Sequence, residues 1–72
     1  MNSQSKKPLV KLIGEDGNIF GIFARVNKAM KRFERENPNY NAIENFDNFL
    51  VEAKSGDYDK ALQTVMKYCE VN

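Results

Sequence analysis

The sequence predicts a mainly helical mini-domain in which three helices follow one short N-terminal β-strand. Three observations support this fold class. Apolar residues recur at helical spacing in three separate segments. The tripeptide SGD and the pair Asn37-Pro38 separate those segments with residues typical of turns and caps. A short apolar run near the N-terminus is rich in β-branched residues and ends at a glycine, which favours a strand.

The chain has 72 residues, which corresponds to one small domain. A domain of this length buries only about 60% of its unfolded surface. Self-association is therefore a reasonable source of further stability. Residues 1–7 are predicted to be a disordered polar tail, and residues 8–72 a single helical domain.

The predicted strand is the segment PLVKLI, which Pro8 opens and Lys11 interrupts. A lone strand must pair with something. Two partners are open: the tail Cys69–Asn72 of the same chain, or the same strand of a second copy. The block GEDGN follows, with two glycines suited to a turn and Asn18 as the N-cap of the next helix.

Helix one is predicted from Ile19 to Glu36, where Asn37-Pro38 ends it. Its apolar stripe is formed by Ile19, Ile22, Phe23, Val26, Met30 and Phe33. The opposite face carries a basic ridge of Arg25, Lys28, Arg32 and Arg35, with Lys31 beside it. At 1.5 Å per residue the ridge is about 15 Å long. It is either an ordinary solvated face or a contact surface for nucleic acid or an acidic partner.

Helix two is predicted from near Asn41 to about Ser55, and its inner stripe is Ile43, Phe46, Leu50 and Ala53, which Phe49 widens. Gly56 is predicted to be its C-cap, and Asp57 the N-cap of helix three. Because the connection is short, the two helices are expected to be near-antiparallel neighbours. The stripe of helix three is Tyr58, Ala61, Leu62, Val65, Met66 and Cys69.

The composition argues against enzymatic chemistry. With no histidine and a single cysteine, a Ser–His or Cys–His nucleophile pair cannot form, and no zinc ligand set is available. We therefore expect a non-enzyme with no metal and no cofactor. Cys69 is expected to be a buried thiol, and Phe20 and Tyr40, the best exposed aromatic candidates, to pack against neighbours.

The charges and the absence of special segments bear on partners and location. Residues 1–36 hold eight Lys/Arg and four Asp/Glu, which gives +4, whereas residues 37–72 hold three and six, which gives −3. The basic half predicts an acidic partner surface or an attraction between helices of the same domain. A single cysteine favours a reducing cytoplasm. We expect neither a signal peptide nor a membrane association, because no apolar run is long enough.

Two sequence blocks carry a resemblance to a known group of proteins. The pattern KLIGEDGNIFGIFARVNKAMKR, followed by SGDYD and a final MKYCEV, resembles a family of short uncharacterised bacterial and phage-borne proteins. The match covers roughly Leu9 to Val71, and the chain departs from it in the longer connection ERENPNYNAIEN. The resemblance implies a cytoplasmic, mobile-element context, and it implies that GEDGN and SGDYD are turn-and-cap devices of one fold.

The sequence thus predicts a non-enzymatic interaction module that binds a protein or forms a homodimer through its strand edge or leftover apolar surface. The alternative is a nucleic-acid-binding accessory protein that uses the basic ridge.

Overall fold

The computed structural model describes residues 7–12 and 19–71. Its elements are, in order, β1 (Leu9–Val10), α1 (Ile19–Glu36), α2 (Ala42–Ala53), α3 (Tyr58–Tyr68) and β2 (Glu70–Val71). The predicted fold class, three helices with a short strand, is confirmed. The GEDGN turn with its Asn18 cap, and all of the predicted tail except Lys7, lie outside the described residues. Lys7 is tied to the domain, because its ammonium group donates to the Met66 carbonyl over 3.0 Å.

The N-terminal strand pairs with the C-terminal end of the same chain. β1 and β2 are parallel, with Leu9 opposite Glu70 and Val10 opposite Val71. The Glu70 amide donates to the Pro8 carbonyl over 2.8 Å. Of the two predicted partners, the tail of the same chain is therefore confirmed. Successive side chains of a strand point to opposite faces, so Val10 enters the core while Leu9 faces solvent.

The core is built around Phe49 of α2, which is fully buried. Its ring meets Phe23 of α1 edge-to-face at 5.5 Å and Tyr68 of α3 edge-to-face at 5.8 Å. It also stacks on Phe46 at 5.9 Å. One aromatic side chain thus joins all three helices. The other large side chains that are fully buried are Pro8, Val26, Met30, Val65 and Cys69.

The predicted stripe of α2 is rotated relative to the one observed. Ile43 is 73% exposed, and the prediction that it faces the core is wrong. The buried residues of α2 are Ala42, Phe49 and Ala53. The first turn is held in this orientation because the Ala42 amide donates to the carboxylate of Glu34 on α1 over 3.2 Å. In this orientation the small side chain of Ala42 packs against α1, and Phe49 reaches the centre of the core.

Two residues of the predicted stripe of α3 also lie outside the observed core. Tyr58 and Met66 are exposed, so their assignment to the core is wrong, whereas Ala61, Val65 and Cys69 are buried as predicted. Thr64 occupies a buried position instead. Its hydroxyl donates to the Lys60 carbonyl one turn earlier over 2.8 Å. Because this bond satisfies the polar group, threonine can serve as a core residue here.

The connection between α2 and α3 is capped differently from the prediction. Asp57 is the N-cap of α3, as predicted, and its carboxylate accepts from the Lys60 amide over 3.0 Å. The C-cap of α2 is Lys54, so the prediction of Gly56 as that cap is wrong. Gly56 does not have the positive φ of a glycine cap. A Cβ at this position would lie 2.7 Å from Cγ and 2.8 Å from Cβ of Lys60, so the glycine allows a close approach of the chain to α3.

Replacing Gly56 by alanine is expected to destabilise the protein. The new Cβ would overlap the base of the Lys60 side chain, which cannot rotate away from its own helix. Overpacking costs about 1–3 kcal/mol, and the lower entropy of the unfolded alanine chain offsets part of it. We expect a net loss of about 1 kcal/mol in urea unfolding. Asn48→Ala, on the exposed surface of α2, is the control. An unchanged midpoint for Gly56→Ala would show that α3 can shift to make room.

The helices α2 and α3 are neighbours, as the short connection between them predicts. Glu52, near the C-terminus of α2, accepts from the Lys67 ammonium over 2.8 Å and from the Tyr68 hydroxyl, both at the C-terminal end of α3. These contacts join the C-terminal ends of the two helices. The hydrogen bond from Lys67, followed by that from Tyr68, lowers the pKa of Glu52. The stabilisation that results is present above the ordinary carboxyl pKa and is lost as the pH falls through the lowered value.

Candidate functional site

The first candidate surface is a groove between β1 and one flank of α1, with a volume of about 310 Å³. We call it the basic groove. Three of the four predicted ridge residues, Arg25, Lys28 and Arg32, line it together with Lys11 of the segment after β1. The lining residues that the structure describes are Leu9, Val10, Lys11, Arg25, Lys28, Ala29 and Arg32, and none of these carries a carboxylate. Four of these described side chains are formally positive.

The two sides of the groove arise from two different periodicities. On α1, Arg25, Lys28 and Arg32 are spaced i, i+3, i+7, which places them along one flank of the helix. At β1 the period is two, so Lys11 shares the outward side with Leu9 once Val10 points inward. The pairing of β1 with β2 thus brings a fourth cation to the ridge. The helical spacing of α1 cannot predict that Lys11 joins these cations. The only signal in the sequence is that Lys11 interrupts the apolar run PLVKLI.

One edge of β1 is directed away from its partner strand. The Glu70 amide bonds to the Pro8 carbonyl, so in a parallel ladder the main-chain groups of Pro8 and Val10 face β2. The N–H and C=O groups of Leu9 therefore point away from β2. Within residues 7–12 and 19–71, the sheet has only these two strands.

The fourth predicted ridge residue, Arg35, lies elsewhere. It lines a separate depression of about 460 Å³ with Lys28, Lys31, Glu34, Ala42 and Ile43. Glu34 brings a carboxylate to that surface, where it caps the first turn of α2. The predicted four-residue ridge is exposed throughout but is divided between the two depressions. Its N-terminal part shares the basic groove with Lys11.

The second candidate surface is apolar and lies where α1 begins, next to the connection between α2 and α3. We call Ile19, Phe20, Phe23 and Tyr58 the apolar patch. They line a depression of about 510 Å³ whose rim carries Lys54 and Asp57.

The two aromatic residues singled out from the sequence differ in exposure. The side chain of Phe20 is 73% exposed, but its ring contacts Phe23 edge-to-face at 6.4 Å, as expected. Tyr40 is half-buried and packs against Phe33 at 4.8 Å, as expected. Phe20 is not among the residues that line the basic groove, so the groove has no stacking surface from it.

Burial raises the pKa of two titratable side chains among the described residues, Cys69 and Tyr40. Cys69 is buried, as predicted, and burial raises the pKa of its thiol to about 11. Burial, with smaller effects of Cys69 and Glu34, raises the pKa of Tyr40 to about 12. In the part of the chain that the structure describes, no group of three or more His, Cys, Asp or Glu is placed to hold a metal ion. In the same part, no helix combines the length and apolarity that a membrane span requires.

Comparison with known proteins gives no match: no family model, no curated protein and no solved structure is significantly similar to this chain. The resemblance to the family with GEDGN and SGDYD blocks stays a prediction. The role of Asp57 as a helix cap is consistent with what that resemblance implies for the SGDYD block.

Proposed function

We propose that this protein is a non-enzymatic interaction module of the cytoplasm that self-associates through the apolar patch. The observation that carries the proposal is the 73% exposure of Phe20 at the rim of a mainly apolar depression. Single exposed apolar side chains are ordinary, but here Phe20 and the exposed Tyr58 share one concave surface. Aromatic side chains in such a setting are typical of the centres of protein interfaces. The cytoplasmic location rests on the single thiol.

A second copy is the occupant that best fits this surface. A two-fold axis brings each patch against the same patch of the other copy. The rim carries both Lys54 and Asp57, so the same operation can set the cation of one copy near the carboxylate of the other. Each copy then offers a Phe20 ring to its partner's depression. A small domain also gains the most from such burial, because its own core is limited.

Replacing Phe20 by lysine is expected to weaken the dimer at least tenfold in sedimentation velocity. Burying most of a phenylalanine side chain contributes about 1.5–3 kcal/mol, and each 1.4 kcal/mol is tenfold in affinity. Val51→Lys is a matched control, because Val51 is equally exposed, lies on a helix and does not line the depression. Equal weakening by both variants, or a wild-type protein that stays monomeric at high concentration, would overturn the proposal.

Nucleic-acid binding through the basic ridge stays the alternative. The clustering of Lys11 with Arg25, Lys28 and Arg32 favours it. No aromatic side chain lines the groove, so contact would be confined to phosphates. The signature of this function would be retention of an oligonucleotide at low salt that is lost steeply as the salt concentration rises.

A further inference from the structure

We propose that the depression between α1 and the first turn of α2 binds an acidic amphipathic helix of a partner protein. We call this surface the inter-helix depression, and its described lining residues are Lys28, Lys31, Glu34, Arg35, Ala42 and Ile43. It lies apart from the apolar patch, and the inference does not depend on self-association. The ligand is a helix that carries carboxylates along one flank and an apolar ridge beside them.

Three cations of α1 form one side of the inter-helix depression. Lys28, Lys31 and Arg35 are spaced i, i+3, i+7, so they lie on one side of the helix over about 10.5 Å. All three are exposed, and none of them makes an ion pair with another described residue. Residues 28–43, which connect the two sides of the depression, are described without a gap. This side therefore offers three positive charges to an acidic ligand.

The one carboxylate among the described lining residues is engaged by α2. Glu34 is half-buried and accepts from the Ala42 amide over 3.2 Å. That amide belongs to the first turn of α2, where the helix dipole favours a negative charge. The charge of Glu34 is thus compensated by α2 and leaves the three cations to a ligand.

Ile43 supplies the apolar part of the inter-helix depression. Its side chain is 73% exposed and lies on the α2 side, across from the cations. An apolar side chain that enters the depression removes this surface from water, which favours binding. Glu44 and Asp47 are exposed on α2 but do not line the depression. The carboxylates of the ligand therefore belong on its α1 side, and its apolar ridge belongs next to Ile43.

A helix fits this surface better than a nucleic-acid strand does. Glutamates spaced i, i+3, i+7 on a helix span the same distance of about 10.5 Å as the three cations. Docking of an amphipathic helix by its apolar face is an established mode of protein recognition. A nucleic-acid strand carries a charge at every nucleotide, so it would pass Glu34 and leave Ile43 uncovered. A peptide can place neutral residues at both points.

The test is fluorescence anisotropy with a labelled, alanine-rich peptide of about 20 residues, because shorter helices are marginal in water. Three glutamates spaced i, i+3, i+7 follow one flank, and leucines form the adjacent ridge. A matched peptide of the same composition and helicity carries its glutamates opposite the leucines. The first peptide is expected to bind at least about tenfold more tightly, because only it can place both groups on the depression at once. Equal affinities would show a simple attraction of charges and overturn the proposal.

A substitution of Ile43 tests the apolar contact without a change of charge. Ile43→Asn is expected to weaken binding of the first peptide at least about tenfold. Val51→Asn is the matched control, because Val51 is equally exposed on α2 and does not line the depression. A loss of affinity as large for Val51→Asn as for Ile43→Asn would contradict the proposed site.

Paired charge reversals test the cations. Lys31→Glu with Arg35→Glu is expected to weaken binding of the first peptide at least about tenfold, because two carboxylates then face the acidic flank. Lys11→Glu with Arg32→Glu makes the same change in net charge, but neither residue lines this depression. That pair is expected to weaken binding less than about threefold. Similar losses for both pairs would mean that the peptide responds only to net charge, which would refute the proposal.

Three results would assign the surface or the peptide differently. Loss of peptide binding in the Phe20→Lys variant would place the peptide on the apolar patch, whereas binding that persists there supports the inter-helix depression. An oligothymidine that displaces the peptide and is itself weakened by Lys31→Glu with Arg35→Glu would favour nucleic acid. Self-association that survives Phe20→Lys and is lost with Ile43→Asn would show that a second copy occupies the depression. Each of these three losses or displacements overturns the proposal.

Discussion

Phe49→Ala is expected to leave a large fraction of the protein unfolded at 25 °C. Truncating a fully buried phenylalanine costs about 3–5 kcal/mol, because the apolar contacts are lost and a cavity remains. The core of a domain of this size rarely supplies more than about 3–5 kcal/mol in total. The two quantities are comparable, so this single change should remove most of the folding free energy.

The position of Phe49 makes collapse of the cavity difficult. Its ring is in contact with rings from α1 and α3 and with Phe46 one turn earlier, so no single element can move in to fill the space. Far-ultraviolet circular dichroism during urea unfolding measures the effect. Phe49→Leu retains most of the volume and is expected to cost much less. Val51→Ala, two residues away on the exposed side, is expected to be nearly neutral. A midpoint for Phe49→Ala close to wild type would mean that Phe49 is not the centre of the core.

The buried face of a helix could be predicted from the sequence where apolar and charged residues lie on opposite sides of that helix. In α1 the apolar residues Ile22, Val26 and Met30 lie opposite a basic flank, so only one orientation buries apolar surface, and that orientation is observed. In α2 apolar residues occur all around the helix. The stripe through Ile43 and the stripe through Ala42 and Phe49 are both well spaced, and packing against α1 decides between them.

The candidate surfaces were predictable only in part, because they depend on contacts distant in sequence. The cations of α1 follow from helical spacing, but Lys11 joins them only through the pairing of β1 with residues sixty positions later. The buried Thr64 was missed because its hydroxyl is satisfied within its own helix. Gly56 was given the wrong role because the sequence does not show how closely its backbone approaches Lys60.

The thiol of Cys69 is expected to react with a disulfide reagent at least about 100-fold more slowly in the folded protein than in urea. Burial raises its pKa to about 11, whereas an ordinary cysteine has a pKa near 9. At neutral pH the thiolate fraction is therefore about 100-fold lower, and the thiolate is the reactive form. Lack of access to the buried sulfur slows the reaction further.

The dependence of this reaction on β2 tests how the fold holds the thiol. Cys69 immediately precedes β2, so separating β2 from β1 should expose it before the helices unfold. Val10→Ala, which weakens the packing of β1, is expected to accelerate the reaction, whereas Val51→Ala should leave it unchanged.

The raised pKa of Cys69 also predicts how the stability of the protein depends on pH. The neutral thiol favours the folded state below about pH 9, and this contribution decreases as the pH rises towards 11. Cys69→Ala should lack that alkaline decrease. Rapid labelling of the folded wild-type protein at neutral pH would contradict the burial of the thiol.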